Sequence, residues 1–518
     1  MLLTTEDEKD SIKEKTQYLE FLTNRRFVRF LLRRISGYCS KDKASRIEIA
    51  LELISGIREN ACWSCRIATK FVKGILSIGS KSFGTDLKTI TEGLKDSIFR
   101  RALSSVVTGL AYFGVQKPFV PGAPFQVVWN VTRSCNLHCK HCYENAGRRG
   151  ADELTTEEAL SCIDNLAKAG VVFLAFSGGE PTLRPDILTL IERATSLGMY
   201  VALATNGITF ANRDVLKKFK KAGAKFVQIS LDGSTPEQHD KFRGLHGAFE
   251  ATLKGIRNCV EEELFVEVAM TVTTDNLDQV IETNNIAQRL GANWFMIYNF
   301  VPTGRGRDII NLDLNPYERE NLLKDIYKRI VTHEPDEIEI LTTAPQLGRM
   351  SNNPPSDITS QPCLHESKTL PTHFFNARLP SEMQSLSDFI GGCGAGRFYV
   401  AIEPNGDIYP CVFFPHEPRV LIGNILKDDF QKLWINSDLL AELRNKDLLS
   451  GVCGTCENRY VCGGCRARAM GYFDDYLAPD PGCLNNLSYY RKLVSELENR
   501  HDLFLYYSSP PSNVGVKR

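Results

Sequence analysis

Phe125-Gln-Val-Val-Trp-Asn-Val131 runs straight into Thr132-Arg-Ser-Cys135-Asn-Leu-His-Cys139-Lys-His-Cys142. The first half is a short β-branched and aromatic run of strand character, and the second places three cysteines on one loop at its end. Five more such runs follow, at Val172–Ser177, Tyr200–Thr205, Phe226–Leu231, Phe265–Thr273 and Trp294–Phe300, and amphipathic stretches of helical spacing lie between them. That alternation is the mark of βαβ units. Four of the helical stretches stop at a glycine just before the next strand, at Gly170, Gly198, Gly223 and Gly291. Glycine accepts the left-handed conformation that closes a helix. Thr155-Thr-Glu-Glu158 offers the first helix a capping box. Six such units predict an α/β chain whose parallel sheet curls into a partial (β/α)6, TIM-like barrel over residues 121–310. Its chemistry belongs on the loops at the strands' C-terminal ends.

On the N-terminal side, residues 1–120 carry Lys+Arg 21 and Asp+Glu 13, a net +8, in a chain of 518 residues whose totals are 62 and 62. The neutral total argues against a chain built to bind nucleic acid, and an apolar content of 43% argues against disorder. Tyr18–Ile35 sets large apolar residues at helical spacing with arginines between them, Leu94–Val115 repeats the pattern, and Pro118, Pro121 and Pro124 close the module. A helical N-terminal domain is expected, either packed on the barrel with solvated arginines or lying on an anionic membrane or lipid. The start of the chain lacks the basic-then-apolar order of a signal peptide, and no apolar run approaches the ~18 residues of a membrane span. The expected location is cytoplasmic, with peripheral contact at the inner membrane face as the alternative. Residues 311–390 read as a connecting segment with one helix at Pro316–Ile330. Residues 391–518 are rich in Cys and Gly, with little repetitive structure expected.

Sixteen cysteines in a chain of this kind point to metal ligation rather than disulfides. Three thiolates on the Cys135–Cys142 loop can hold three corners of a [4Fe–4S] cube and leave one iron open to a substrate atom; a zinc knuckle is the alternative. A second set comprises Cys393-x12-Gly406-x4-Cys411, Cys453-x2-Cys456-x5-Cys462-x2-Cys465, and Cys483. Its CxxC pairs are a metal signal on spacing alone, for iron–sulfur clusters or two zinc ribbons.

The loop and the motifs after it resemble the radical S-adenosylmethionine (SAM) superfamily over about 125–305. Gly178-Gly179-Glu180-Pro181 matches the motif that meets the methionine amino group, with close backbone approach at the glycines. Thr205-Asn206-Gly207 and Ser230-Leu-Asp232-Gly233 end the third and fourth strands, the latter where the family contacts the ribose, and Arg243 matches an arginine near the methionine carboxylate. His141, inside the cysteine loop, joins this cofactor-binding set. The resemblance implies that the Cys135/Cys139/Cys142 cluster binds SAM and cleaves it reductively to a 5′-deoxyadenosyl radical, which abstracts hydrogen from an unactivated C–H bond. The second cysteine set is similar to the SPASM domain, which carries auxiliary [4Fe–4S] clusters, though its third pair is CxxC where the family usually has CxxxC. The family's crossed pattern would give one cluster Cys393, Cys411 and Cys465, with Cys363 as fourth ligand, and the other Cys453, Cys456, Cys462 and Cys483. That makes three clusters in all.

Sulfatase-maturating members carry an Asp where Val412 stands, which disfavours that activity. The string Cys462-Gly-Gly-Cys-Arg-Ala-Arg-Ala469 with Ala478-Pro-Asp-Pro-Gly-Cys483 is most similar to members that tailor tetrapyrroles or ribosomal peptides. The implied enzyme oxidises a large substrate, or forms C–C or C–S bonds on it, with a ferredoxin or flavodoxin as low-potential donor. A membrane lipid is the alternative substrate, and a zinc-binding protein without catalysis is the rival of another class. Cys62-Trp-Ser-Cys65 with Cys39 could supply three ligands to a further metal, but no fourth is evident, and reduced thiols on a helix are the plainer reading. Cys162 and Cys259 read as core. Pro302-Thr-Gly-Arg-Gly306 fits a SAM-contacting loop or a plain turn, and His373 and His416 could face the substrate, though a lone histidine is more often structural.

Overall fold

A computed structural model describes residues 25–82, 86–332, 334, 337–354, 367–371, 376–380 and 387–498. Cys363, His373 and the stretch Tyr18–Asn24 lie outside these residues.

The N-terminal module comprises α1 (Arg26–Ser36), a hairpin of β1 (Tyr38–Cys39) and β2 (Ala44–Ser45), α2 (Arg46–Ser55), α3 (Trp63–Ser82), α4 (Leu87–Gly93) and α5 (Ser97–Phe113). Leu32, Ile47, Ala50, Leu51, Val72, Val107 and Ala111 form its core, which Phe389 closes from the far end of the chain. Two of the four arginines of α1 are engaged with the module itself, while Arg26 and Arg34 are exposed. Arg29 Nη2 donates to the carbonyl of Tyr112, and Arg33 Nε donates to that of Ala111 at 3.1 Å, so both satisfy orphan carbonyls at the C-terminus of α5. Phe27 and Phe30 remain 70% and 53% exposed on the other face. Arg101 pins the module to the barrel by donating to the carbonyls of Leu197 and Ala167. Among the described residues no helix is long and apolar enough to cross a membrane.

Seven parallel strands follow in sheet order: β3 (Gln126–Asn130), β4 (Phe173–Ser177), β5 (Tyr200–Thr205), β6 (Ala224–Ser230), β7 (Phe265–Val272), β8 (Trp294–Asn299) and β9 (Glu339–Thr342). They are near-continuous apolar runs because both faces are covered, and they share one core with their helices. The four expected glycine stops all lie in the left-handed region, Gly223 at φ 117°, and the Thr155/Glu158 capping box is formed. A hairpin of β10 (Ser367–Pro371) and β11 (Asn376–Pro380) lies in the connecting segment.

The sheet extends beyond the six strands expected. Besides β9, the Cys-rich segment contributes β12 (Tyr399–Ile402), parallel to the outer edge of β3, then β13 (Asp407–Tyr409) and β14 (Gly423–Asn424), both antiparallel, to make ten strands. This segment also carries helices at Phe430–Asn436, Asp438–Arg444 and Arg466–Phe473, so the expectation of little repetitive structure fails. Tyr399-Val-Ala-Ile402 is too short to stand out by periodicity, and it becomes a strand because β3 offers an unpaired edge in register with it. The sheet therefore joins the C-terminal cysteines to the strand that leads into the first cysteine loop.

Candidate active site

The cysteine loop leaves β3 and is held from three sides. Gly179 N–H donates to the carbonyl of Thr132 and Glu180 N–H to that of Ser134, both at 2.8 Å. A Cβ on Gly179 would stand 2.3 Å from the Ser134 carbonyl oxygen, and one on Gly178, at φ 126°, would meet that of Thr132 at 2.5 Å. The close backbone approach at these glycines includes the base of the cysteine loop. On the second side, His138 and Lys140 N–H donate to the carbonyls of Arg243 and Phe242. On the third, Arg305 Nε donates to the Cys139 carbonyl at 2.9 Å and Nη1 to that of Ala146 at 2.7 Å. The Pro302–Gly306 turn is therefore a clamp on this loop, and Arg305 is a residue that sequence reasoning passed over.

Each sulfur of the loop has one donor aimed at it. Leu137 N–H lies 3.4 Å from Cys135 Sγ, Ala146 N–H 3.4 Å from Cys142 Sγ, and Arg243 Nη1 3.7 Å from Cys139 Sγ. Burial pushes the Cys135 thiol up to about 12, and it raises Cys139 as well despite Arg243 beside it. Behind the loop, Arg243 Nη2 stands 2.5 Å from Asp232 Oδ2, and His141 Nε2 lies 3.6 Å from the same oxygen. Burial alone would raise the Asp232 carboxyl, but Arg243 and then His141 outweigh it and hold it below its ordinary value. Burial lowers His141 to about 4, and its ring stacks on Phe242 at 4.4 Å. Asp232 is fully enclosed, with Oδ1 accepting from Thr271 N–H at 2.7 Å. It therefore positions Arg243, while Ser230 at the end of β6 is half-buried.

Glu180 is likewise fully buried, which raises its carboxyl; it accepts from Thr182 N–H and Oγ1, from Thr205 Oγ1 at 2.7 Å and from Asn206 N–H at 2.9 Å. Asn206 reaches on to Asn136 of the cysteine loop at 2.8 Å. Pro181, also buried, starts the short turn in which Thr182 returns to Glu180. Glu180, Thr205 and Asn206 thus form a hydrogen-bonded frame on one side of the cysteine loop, and Asp232, Arg243 and His141 form a second behind it.

The C-terminal cysteines separate into two groups. Cys393, Cys411 and Cys465 line one cavity together with Asn299, Thr342 and Thr343 at the ends of β8 and β9. Among the described residues its wall holds no fourth thiol, imidazole or carboxylate. Cys453, Cys456, Cys462 and Cys483 line a second cavity with Arg349 and Asn486. Three buried cations stand around these groups: Lys446, Arg397 and Arg466. Among the described residues none of the three has a carboxylate partner. Burial lowers Lys446 to about 8 and Arg397 to about 10, and the charge of Cys393 offsets part of that cost for each. Arg397 and Arg466 donate to backbone carbonyls and Lys446 to that of Leu443, but buried cations without a carboxylate beside buried cysteines suit an anionic group bound there.

Between the two cysteine regions runs an aromatic wall. Tyr143, next to Cys142, meets the ring of Phe413 edge-on at 5.2 Å, Tyr298 meets Phe413 at 6.0 Å, and Phe413 N–H donates to Cys411 Sγ at 3.4 Å. Below it lies a buried polar knot absent from the sequence reading: Asn130 Nδ2 donates to Glu144 at 2.8 Å and to Glu403 at 3.0 Å, and His416 Nε2 is 3.1 Å from Glu403. Burial, then the neighbouring Glu403, raises the Glu144 carboxyl well above its ordinary value.

Residues 129–286 match the radical SAM superfamily and residues 393–457 match SPASM, an iron-sulfur cluster-binding domain. The AdoMet-dependent heme synthase of Methanosarcina barkeri is 34% identical over 366 residues, which are 70% of this chain and 97% of that protein. The chain belongs to the radical SAM superfamily. It is an enzyme with S-adenosylmethionine and [4Fe–4S] clusters as cofactors, and the zinc-protein alternative falls with that membership. The mycofactocin maturase MftC of Mycobacterium tuberculosis is 31% identical over 369 residues, 71% of this chain and 84% of that protein. Streptococcus suis SuiB bound to its precursor peptide SuiA shares the fold, with TM-score 0.56 at 17% identity over 82% of this chain and 90% of that one. The residues in place fit radical SAM cofactors: three loop sulfurs each with one donor, and buried cations around the two C-terminal groups.

Proposed function

We propose that this enzyme tailors a tetrapyrrole by hydrogen abstraction, with a peptide as the second reading. Cys135, Cys139 and Cys142 hold the SAM-binding cluster. His141, Arg243 and Asp232 fix the charge behind it, and Gly178–Pro181, Thr205, Asn206 and Ser230 frame the SAM pocket. Cys393, Cys411 and Cys465, with Cys363, hold one auxiliary cluster, and Cys453, Cys456, Cys462 and Cys483 hold the other. When bound, the clusters and SAM supply an electron and a 5′-deoxyadenosyl radical that takes a hydrogen atom from substrate carbon. The protein's own task is to present that carbon and exclude water. The observation that carries the tetrapyrrole reading is the aromatic cluster of Tyr143, Phe413 and Tyr298 between the two cysteine regions, edge-on rings against which a conjugated macrocycle can pack. The similarity to heme synthases supports it, while the MftC and SuiB likenesses favour a peptide. Val412, an apolar residue at 8% exposure, supplies no base after Cys411. A ferredoxin or flavodoxin serves as donor in this reading, at a cytoplasmic location. The hydrogen bonds of Arg29 and Arg33 to α5 favour a packed module over a lipid-binding one in this reading.

The test is anaerobic incubation of the reconstituted enzyme with SAM, dithionite and iron-coproporphyrin III, followed by mass spectrometry of the porphyrin. A porphyrin mass change that tracks 5′-deoxyadenosine is expected. SAM cleavage with the porphyrin untouched rejects the tetrapyrrole reading.

A further inference from the structure

The N-terminal module holds a metal-ligand set outside both family matches. Cys39 ends β1, Asp42 sits in the turn of the hairpin, Cys62 immediately precedes α3 and Cys65 lies in its first turn. One ligand atom from each falls within 4.8 Å of all the others. We propose that Cys39, Asp42, Cys62 and Cys65 bind one zinc ion in a closed, structural site.

The spacing is Cys39-x2-Asp42-x19-Cys62-x2-Cys65, the two-knuckle arrangement of a zinc ribbon with a carboxylate in one thiol's place. The separations fit a tetrahedron around a single ion. Cys39 Sγ lies 3.7 Å from Cys62 Sγ and 3.5 Å from Asp42 Oδ2. Zinc at ~2.3 Å from sulfur and ~2.0 Å from oxygen gives tetrahedral edges of roughly 3.7 and 3.5 Å. Sulfurs this far apart are not bonded to each other. Four donors this close enclose one ion, whereas a cube with an iron at each corner would spread its thiolates wider. Three soft thiolates with one hard oxygen in a small tetrahedral site favour zinc over calcium or magnesium.

The surroundings orient and balance the set. Cys62 N–H donates to both Asp42 oxygens, at 3.3 and 3.2 Å, and turns the carboxylate toward the sulfurs. Lys43, in the left-handed region at φ 58°, closes the turn by donating from its N–H to the Cys39 carbonyl at 2.7 Å. Ser64 Oγ stands 3.1 Å from Cys62 Sγ. Three thiolates and a carboxylate leave the zinc site net negative, and the nearby Arg58, whose direct partner is Glu52 at 2.6 Å, adds a weaker attraction to Asp42 and Cys65. The site also has work to do. A hairpin of two-residue strands is not stable alone, and the apolar cluster beneath it is only Ile49 with Cys39 and Cys65, edged by Leu53 and Ala61. A zinc ion joins that hairpin to α3 where packing cannot.

Metal analysis of full-length chain, grown with zinc and reconstituted anaerobically until iron accounts for its clusters, is the test. About one tightly held zinc per chain is expected, with tetrahedral thiolate bands after cobalt(II) exchange. Cys62→Ser and Cys65→Ser should each lose that zinc, and Asp42→Cys should keep it and release it to a chelator at least ~10-fold more slowly. Wild-type stoichiometry and the cobalt spectrum need no variant, so misfolding of a serine variant leaves the test intact. Zinc below about a tenth per chain, zinc retained in Cys62→Ser, a mononuclear iron at this site, or a Cys39–Cys62 disulfide in oxygen-free protein overturns the proposal.

Discussion

Asp480→Asn, which changes one oxygen to an amide nitrogen, strikes the point where the barrel and both C-terminal cysteine groups meet. Asp480 is fully buried. Its Oδ1 accepts from Arg468 Nε at 3.2 Å and Gly482 N–H at 2.9 Å; its Oδ2 accepts from Gln346 Nε2 at 2.7 Å and Cys465 N–H at 2.8 Å. Its carbonyl also holds Asn486, which points at Cys453 Sγ. An asparagine must turn its NH2 toward one of these donor pairs. Facing Arg468 and Gly482 it strands both. Facing Gln346 and Cys465 is cheaper, because Gln346 Oε1 has no partner and the amide can turn to accept. The newly stranded group is then the Cys465 N–H, at about 1–3 kcal/mol, while the turned Gln346 exchanges an unpartnered oxygen for an unpartnered NH2. Arg468 loses one of its two carboxylates but keeps Asp313 at 2.8 Å, a further cost of about 1–2 kcal/mol. The sum is about 3 kcal/mol, at the lower edge of the cost of breaking a buried pair.

Denaturant titration of anaerobic holoenzyme measures that loss, and iron content follows the cluster beside Cys465. Burial would raise the Asp480 carboxyl, but Arg468 and the N–H of Cys465 hold it below its ordinary value. A depressed carboxyl stabilises the fold above its unfolded pKa of ~3.9, and that contribution is lost as pH falls through and below this value. The variant should lack this acid-labile component. A variant within about 0.5 kcal/mol of wild type at neutral pH, with full iron content, would refute the reasoning.

Two further outcomes follow from the same geometry. Arg305→Ala removes the clamp on the Cys139 and Ala146 carbonyls and should speed iron loss from the first cysteine loop by roughly 10- to 100-fold without unfolding the chain; unchanged iron release would count against the clamp. Glu144→Gln addresses the raised carboxyl beside Glu403. A raised carboxyl contributes stability below its unfolded pKa and loses it as pH rises through the folded one, so the variant should melt higher than wild type at about pH 8.5 and lose the advantage near about pH 5. A lower melting temperature at alkaline pH contradicts this.

The barrel strands could be read in advance because parallel strands covered on both faces are unbroken apolar runs, and because Gly170, Gly198, Gly223 and Gly291 mark the helix ends. β9 and β12 could not, since four residues show no period and become strands only beside β8 and β3. The cysteines stood out by spacing, yet their supports did not. Glu144 and Glu403 meet through Asn130 across half the chain, and Arg305 reaches the cysteine loop from the end of the sixth barrel strand. Asp42 was missed as a companion of Cys39, Cys62 and Cys65 because a single carboxylate in a lysine-flanked turn looks like a solvated charge until the hairpin brings it to the sulfurs. The glycines of Gly178-Gly179 were noticed for close backbone approach, and their packing on the loop base is a contact that the motif alone did not reveal.

The central claim is that three thiolates of one loop hold the cluster at which SAM is cleaved. Anaerobically reconstituted wild-type chain and its Cys135→Ala, Cys139→Ala and Cys142→Ala variants, each given SAM and dithionite, test it by their yield of 5′-deoxyadenosine. The account predicts formation by wild type and by Cys453→Ala, and none above background by any of the three loop variants. 5′-Deoxyadenosine at the wild-type rate from any loop variant would contradict it.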